Sequence, residues 1–292
     1  MVTPTAGAGT EQRILVLGAG VMGTGITTLA LRHGVHVTLV DTSAPILTEA
    51  RKRIAAELRM AHLLTGPAEA DPGELTTATS AAHATGTATA VIEAVVEDAT
   101  VKAQVLAAVS AAVPPGTPII TNTSSIPVDE LADAVARPED LLGTHFMNPS
   151  YAIPMVEVVR GPRSGDAAMA AAADLLAVLG RKAIVVRDAP GFVTSRLLHP
   201  MINDAARVVQ EGTASVEDVD ALMTGCLGHP TGPLRTADLI GIDNLVDALR
   251  VLHKRTGDER SRPCDLLLGK VRDGHHGRKT GRGFYHYEEV FR

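Results

Sequence analysis

A short segment in the middle of the chain sets three chemically active side chains among apolar ones. Residues 143–157 read G-T-H-F-M-N-P-S-Y-A-I-P-M-V-E, so His145, Asn148 and Glu157 fall in a stretch that otherwise resembles a core. Imidazole has an ordinary pKa near neutral pH, which suits it to take a proton from an alcohol. A neighbouring carboxylate would raise its basicity and fix its orientation. The segment indicates an acid–base site; satisfied polar groups in a core are the alternative.

A glycine-rich motif near the N-terminus predicts a dinucleotide site. The apolar run 13–17 meets G-A-G-V-M-G, a helical stretch follows to about His33, and the run 35–40 ends on Asp41. Strand, G-x-G-x-x-G turn, helix, strand and acid form the fingerprint of a dinucleotide-binding βαβ unit. The glycines permit a tight turn, backbone approach to a pyrophosphate and close helix packing. The motif residues expected to bind the cofactor are Gly18, Gly20, Val21, Met22 and Gly23.

The acid at the end of the second strand indicates which dinucleotide binds. The Asp41 carboxylate can accept hydrogen bonds from ribose hydroxyls and would repel a 2′-phosphate. The next residues, Thr42 and Ser43, offer no arginine to hold such a phosphate. NAD is therefore predicted in preference to NADP.

The elements that must position these residues alternate between strand and helix. Apolar, β-branched runs predict strands at 13–17, 35–40, 90–95, 118–121, 141–146, 155–159 and 183–186. Helices are predicted between them, among them 44–64 and 101–112. This alternation is typical of a mainly parallel sheet covered on both faces, with ligands bound beyond the carboxyl ends of the strands. The polar residues that follow strand ends are Glu97, Asn122, Ser124, His145 and Asn148.

The pattern changes near residue 188, after which no strand pattern recurs. Helices are predicted at 196–211, 216–224, 236–240 and 244–255, with Ser215 as the N-cap of the second. The sequence therefore predicts a flexible tail at 1–12, a Rossmann-type α/β domain at 13–187 and an all-α domain at 188–292.

Composition narrows the class of protein. The 292 residues, 45% apolar and 21% charged, are typical of a soluble globular protein of one large or two unequal domains. A net charge of −6 without a basic run argues against nucleic acid as a partner. Cys226 and Cys264 fit neither a disulfide framework nor a metal site, which favours a reduced, cytoplasmic setting. Neither a signal peptide nor a membrane-spanning run is recognised.

Further motifs follow the βαβ fingerprint in a fixed order. They lie at 122–125 (N-T-S-S), 143–149, 190–193 (P-G-F-V), 228–233 and 277–285. Together they resemble the 3-hydroxyacyl-CoA dehydrogenases, and most closely the 3-hydroxybutyryl-CoA dehydrogenase branch, over about residues 12–287. The resemblance implies an NAD-dependent dehydrogenase of a 3-hydroxyacyl thioester, with this two-domain fold and a homodimer formed through the helical domains.

The resemblance also implies roles for individual residues. His145 matches the catalytic base, and Glu157 matches the carboxylate that holds it in one tautomer. Ser124 and Asn148 match residues that contact the reacting oxygen and position substrate and nicotinamide. The positions that match contacts to NAD are Glu97, Lys102 and Lys279.

Three departures from the family pattern bear on the substrate. Ser195 stands where the family usually has an asparagine that lines the substrate site. No Lys or Arg occurs between Arg59 and Lys102, where members that use coenzyme A tend to have lysines that pair with phosphates. The turn at 148–154 is also similar to that of relatives that oxidise free polar hydroxy acids such as gulonate.

These departures leave the substrate open between alternatives. The thioester carrier is coenzyme A or an acyl carrier protein, the latter as in relatives that oxidise carrier-bound glyceryl thioester to make polyketide extender units. A dehydrogenase of a free hydroxy acid is a further alternative. The last alternative is a non-catalytic family member, like those recruited as lens crystallins. The sequence argues against it, because it retains His145, Glu157, Ser124 and Asn148.

Overall fold

The computed structural model describes residues 12–68, 70–82 and 84–287. The expected tail at 1–12 lies outside the described residues except for Gln12. The chain divides into two compact units, one ending at Ala189 and the other beginning at Pro190. Among the helices described, none is both long enough and apolar enough to cross a membrane.

The first unit is built on one eight-stranded sheet. Its strands are β1 (Arg13–Leu17), β2 (His36–Val40), β3 (Leu75–Ala78), β4 (Ala90–Glu93), β5 (Ile119–Thr121), β6 (Leu141–His145), β7 (Met155–Arg160) and β8 (Lys182–Arg187). They lie in the order β3-β2-β1-β4-β5-β6-β7-β8. All neighbouring pairs are parallel except β6 and β7, which are antiparallel. The predicted Rossmann-type, mainly parallel sheet is confirmed.

Five α-helices accompany this sheet in the part of the unit that the structure describes. They are α1 (Val21–Arg32), α2 (Ala44–Thr65), α3 (Ala99–Ala112), α4 (Val128–Ala132) and α5 (Asp166–Val178). Side chains cap two of them, since Ser43 accepts from the N–H of Ile46 and Asp98 from that of Val101. The central strands β4 and β6 are buried at every position, which is why they read as continuous apolar runs.

Three elements of this unit were not predicted: β3, α5 and the five-residue α4. β3 reads L-T-T-A, pairs with β2 at the edge of the sheet and is partly exposed, so it carries no apolar run to mark it. α5 consists largely of alanine, which occurs on both its buried and its exposed faces, so the sequence shows no clear helical periodicity there. A further difference is that β4 ends at Glu93, two residues before the predicted end of that strand.

The second unit is helical, as predicted. Its helices are α6 (Thr194–Gln210), α7 (Val216–Leu227), α8 (Pro233–Ile240), α9 (Ile242–Thr256) and α10 (Asp265–Arg272), of which α10 was not predicted. Ser215 caps α7 by accepting from the N–H of Asp218 at 3.1 Å, as expected. In the part of the unit that the structure describes, β pairing is limited to isolated bridges within 277–286. Its core is apolar, with Leu234, Leu245 and Leu249 fully buried.

Candidate active site

The turn between β1 and α1 shows why each glycine of the motif is needed. Gly18 has a φ of +98°, and a methyl group there would lie 2.6 Å from the carbonyl oxygen of Ala94. A methyl group on Gly23 would collide with the carbonyl oxygen of Gly18. Beside Gly20, in contrast, no atom lies within 4 Å of such a methyl position. Open space at the N-terminus of a helix, where amide N–H groups face outward, fits the pyrophosphate of a dinucleotide.

Asp41 is fixed beside this turn by backbone hydrogen bonds. Its Oδ2 accepts from the N–H of Ala19 and its Oδ1 from the N–H of Ser43, both at 3.0 Å. Each carboxylate oxygen keeps a second lone pair with which it can accept from a ribose hydroxyl. The group is half-buried and anionic, so it suits the unphosphorylated ribose of NAD.

Glu97 organises the turn that follows β5. Its Oε1 accepts from the Thr123 hydroxyl at 2.6 Å and from the N–H groups of Ser124 and Ser125 at 2.9 and 3.0 Å. Burial alone would raise the pKa of Glu97, but the charge of Lys102 and these hydrogen bonds outweigh it and lower the pKa below its ordinary value. Glu97 therefore holds Ser124 in place as an anion.

A buried ion pair lies directly behind Glu97. The Lys102 ammonium is 2.7 Å from Glu93 Oε1 and 3.3 Å from Glu97 Oε2, and the side chains of Lys102 and Glu93 are fully buried. Glu93 Oε2 also accepts from the Thr121 hydroxyl at 2.6 Å. Lys102, expected at the cofactor, thus contacts two carboxylates of its own chain. Glu93 was not singled out from the sequence, although an acid inside the apolar run A-V-I-E-A-V was a signal that could have found it.

The antiparallel pairing of β6 and β7 places His145 opposite Glu157. The imidazole Nδ1 lies 2.9 Å from Glu157 Oε2. About nine-tenths of each side chain is buried, since only 10% of His145 and 8% of Glu157 is exposed. A carboxylate at Nδ1 favours the tautomer with its proton there, which leaves the basic lone pair on Nε2. This arrangement can accept a proton from an alcohol and stabilise the resulting cation.

Two asparagines flank His145 in different ways. Asn122, which follows β5, accepts from the N–H of Phe146 at 3.1 Å through its Oδ1 and so ties the ends of β5 and β6 together. The sequence placed Asn122 at this edge without a role, because the role depends on a partner 24 residues away. Asn148 is exposed and precedes Pro149 through a cis peptide bond.

The remaining two expected residues belong to the second unit. Ser195 lies in the first turn of α6 and is 4% exposed. Lys279 donates to Asp243 Oδ2 at 2.6 Å and keeps 45% of its side chain exposed. Burial alone would raise the pKa of Asp243, but the hydrogen bond from Lys279 and neighbouring groups lowers it below its ordinary value. Since an ammonium has three donors, Lys279 can bind a further acceptor while it keeps Asp243.

A doubly wound sheet with an open glycine turn, a ribose-binding acid and a His–Glu pair at its carboxyl edge defines the class of protein as an NAD-dependent dehydrogenase. Comparison with known proteins agrees. Residues 13–189 match the model of the 3-hydroxyacyl-CoA dehydrogenase NAD binding domain, and residues 191–287 match that of the 3-hydroxyacyl-CoA dehydrogenase C-terminal domain. The chain belongs to the 3-hydroxyacyl-CoA dehydrogenase family and is an NAD-dependent oxidoreductase that acts on a CH–OH group. The predicted family and cofactor are thereby confirmed.

Individual relatives resemble the chain over nearly its whole length. A probable 3-hydroxybutyryl-CoA dehydrogenase of Bacillus subtilis is 37% identical over 293 residues, which cover 95% of this chain and 98% of the relative. The crystal structure of M. tuberculosis FadB2 is 38% identical, with a TM-score of 0.90, and the match covers 96% of this chain and 100% of that one. The (S)-3-hydroxybutyryl-CoA dehydrogenase PaaH1 of Ralstonia eutropha is 35% identical, with a TM-score of 0.87 and the same coverage.

Proposed function

We propose that this enzyme oxidises the 3-hydroxyl of a short 3-hydroxyacyl thioester to the 3-oxo group, with NAD as the hydride acceptor. The observation that carries the proposal is the buried His145–Glu157 pair, in which a carboxylate lies 2.9 Å from the imidazole. Relatives that are named as 3-hydroxybutyryl-CoA dehydrogenases support a short acyl chain.

Oxidation removes a hydride from C3 of the substrate and a proton from its hydroxyl. NAD, when bound, supplies the acceptor for the hydride. His145 takes the proton on Nε2, and Glu157 stabilises the imidazolium that forms through the hydrogen bond to Nδ1. In the reverse direction His145 returns the same proton to the oxygen.

The other expected residues have positioning and binding roles in this proposal. Ser124 and Asn148 hold the reacting oxygen and orient substrate and nicotinamide, and Glu97 fixes Ser124 from behind. Lys102 acts through Glu97, because its ammonium is buried between carboxylates. NAD is held by Gly18, Gly20, Val21, Met22, Gly23, Asp41 and Glu97. Ser195 and Lys279, which belong to the second unit, keep the roles toward substrate and NAD that the family resemblance implies.

The experiment that tests the function is reduction of acetoacetyl-CoA, followed by the loss of NADH absorbance. We expect turnover by the parent enzyme, and a loss of orders of magnitude in kcat for His145→Gln with NADH binding retained. Turnover in the variant close to that of the parent would refute the role of His145. No turnover of any 3-oxoacyl thioester by the parent would refute the function.

A carrier protein is a second candidate for the group that delivers the thioester. No Lys or Arg lies between Arg59 and Lys102, and the end of α2 exposes Met60, Leu63 and Leu64 where cations would pair with phosphates. Acetoacetyl-CoA and an acetoacetyl carrier protein should therefore be compared under the same conditions. A higher kcat/KM for the carrier thioester favours this candidate, and a higher value for the coenzyme A thioester opposes it. Turnover of a free hydroxy acid alone would favour the gulonate-like alternative.

We also propose a homodimer formed through the helical unit, in a cytoplasmic setting. Leu197, Leu222 and Leu227 of that unit are each more than half exposed, and a second copy of the unit would cover this apolar surface. Both cysteines are free thiols, in keeping with a reducing compartment.

A further inference from the structure

A charged cluster lies inside the first unit at the carboxyl ends of β4 and β5. It consists of Glu93, Lys102 and Glu97, and we call it the β4 charge cluster. The Lys102 ammonium lies 2.7 Å from Glu93 Oε1 and 3.3 Å from Glu97 Oε2. Among the described residues it is the one cation that contacts either carboxylate. Two anions thus share one cation, so the cluster as a whole carries a net negative charge.

Burial differs between the two ends of the β4 charge cluster. The side chains of Glu93 and Lys102 are fully buried, whereas 34% of the Glu97 side chain is exposed. Besides Lys102, the N–H of Val95 donates to Glu93 at 2.8 Å and the Thr121 hydroxyl donates to it at 2.6 Å. A buried carboxylate is stable as an anion only with such partners, and water screens its charge poorly. The charge of Glu93 is therefore fixed inside the fold, and Glu97 is the end of the cluster that a ligand can reach.

The strand order places this cluster along the path of the cofactor. β1, which precedes the open glycine turn, is followed across the sheet by β4, β5 and β6, and β6 ends at His145. The pyrophosphate lies at the glycine turn, and the hydride acceptor must lie beside the carbon whose hydroxyl His145 deprotonates. A dinucleotide that joins these two positions crosses the ends of β4 and β5. Glu97 lies there and holds the N–H of Ser124.

Oxidation of the substrate moves one positive charge across the site. Hydride transfer from C3 to NAD⁺ removes the positive charge of the nicotinamide ring. The proton that leaves the hydroxyl makes His145 a cation, and a C=O double bond replaces the broken C–H and O–H bonds. Glu157, 2.9 Å from the imidazole, stabilises the cation on His145. The β4 charge cluster lies where a second anion would stabilise the cation that is present before the reaction, on the ring of NAD⁺.

We propose that the β4 charge cluster shifts the cofactor preference of the enzyme toward NAD⁺ and away from NADH, and that Glu93 sets the net charge of the cluster. The proposal rests on the proposed dehydrogenase function. With a neutral residue in place of Glu93, the charges of Lys102 and Glu97 would balance, and the net negative charge would be lost. The effect concerns the ratio of the two affinities, because contacts to the ribose and pyrophosphate are common to both forms of the cofactor.

The test is a binding measurement that needs no turnover. Fluorescence titration gives the Kd of NADH, and displacement of bound NADH gives the Kd of NAD⁺. Glu93→Gln keeps the shape of the side chain and an oxygen that accepts from Lys102, but it removes one unit of negative charge. The ratio of the Kd of NAD⁺ to the Kd of NADH should therefore rise about tenfold. That is the effect of a unit charge acting over about 10 Å at an effective dielectric constant of about 20.

Two control variants separate the charge of Glu93 from its shape and hydrogen bonds. Thr121→Val removes a hydrogen bond to Glu93 and leaves every charge in place. Glu93→Asp keeps the negative charge on a shorter side chain. Both controls should keep the ratio of the two dissociation constants within twofold of the parent value, even if they lower stability.

A rise in this ratio in Glu93→Gln, without a rise in the controls, supports the proposal. The proposal is refuted if the ratio in folded Glu93→Gln stays within twofold of the parent value, which includes an equal loss of affinity for both forms. If Glu93→Gln does not fold, Glu97→Gln removes the same charge at the exposed end of the cluster, and an unchanged ratio there is equally decisive. The proposed function fails separately, if the parent binds NAD⁺ and NADH but reduces no 3-oxoacyl thioester.

Discussion

Removing the charge of Glu157 should weaken proton transfer without disturbing cofactor binding. Glu157→Gln keeps the size of the side chain but replaces a carboxylate that lies 2.9 Å from the His145 imidazole. Because both side chains are about nine-tenths buried, water screens this hydrogen bond poorly. The glycine motif and Asp41 are unchanged, so the variant should bind NADH as the parent does.

The size of the effect follows from the type of hydrogen bond. A hydrogen bond to a charged group contributes about 1.5–3 kcal/mol net. If that contribution is lost in the transition state, where the imidazolium forms, kcat/KM should fall about 10- to 150-fold. The assay is acetoacetyl-CoA reduction with NADH, and NADH affinity is measured separately by fluorescence titration.

A matched control distinguishes the effect of removing the Glu157 charge from the effect of removing an exposed carboxylate. Glu49→Gln removes a carboxylate that is 63% exposed on α2, and it should leave kcat/KM within twofold of the parent value. The reasoning is refuted if folded Glu157→Gln, with normal NADH affinity, also stays within twofold of the parent. In that case the buried pair would serve stability alone.

Three further outcomes are expected. The parent should bind NADH much more tightly than NADPH, because the Asp41 carboxylate repels a 2′-phosphate. Asp41→Asn should reduce this difference in affinity. Equal affinities for NADH and NADPH in the parent would contradict the reasoning. Lys102→Met should lower the free energy of unfolding by about 3–5 kcal/mol, because it leaves buried carboxylates without their cation. The pKa of Glu97 is lowered below 4.5 in the folded parent, so its contribution to stability is present above that pH and is lost as the pH falls through the folded pKa. The difference in free energy of unfolding between the parent and Lys102→Met, measured with urea, should therefore be larger at pH 7 than at pH 4. A difference that grows as the pH falls would contradict this reasoning. Finally, the enzyme should sediment as a dimer at micromolar concentration, and the double variant Leu222→Asp/Leu227→Asp should sediment as a monomer; a monomeric parent would remove the dimer proposal.

Local patterns in the sequence predicted the cofactor site. Gly18, Gly20 and Gly23 lie in one turn and the helix that follows it. Their spacing in the sequence is therefore enough to predict the geometry of that turn. The buried strands were recognisable because a strand covered on both faces must be apolar along its whole length. The partly exposed edge strand β3 reads L-T-T-A, so it lacked that signal and was not predicted.

The tertiary structure decided which polar groups meet. His145 and Glu157 could be named from the sequence, but their contact depends on β7 turning back antiparallel to β6 in a register that pairs the two residues. In the sequence Lys102 looks like an ordinary lysine on a helix. Only the tertiary structure, in which the end of β4 lies beside α3, shows that its side chain is buried against Glu93. Hydrophobic periodicity reports which face of an element is buried, whereas the partner of a buried polar group is set by long-range packing, and in this protein that packing assembles the candidate active site.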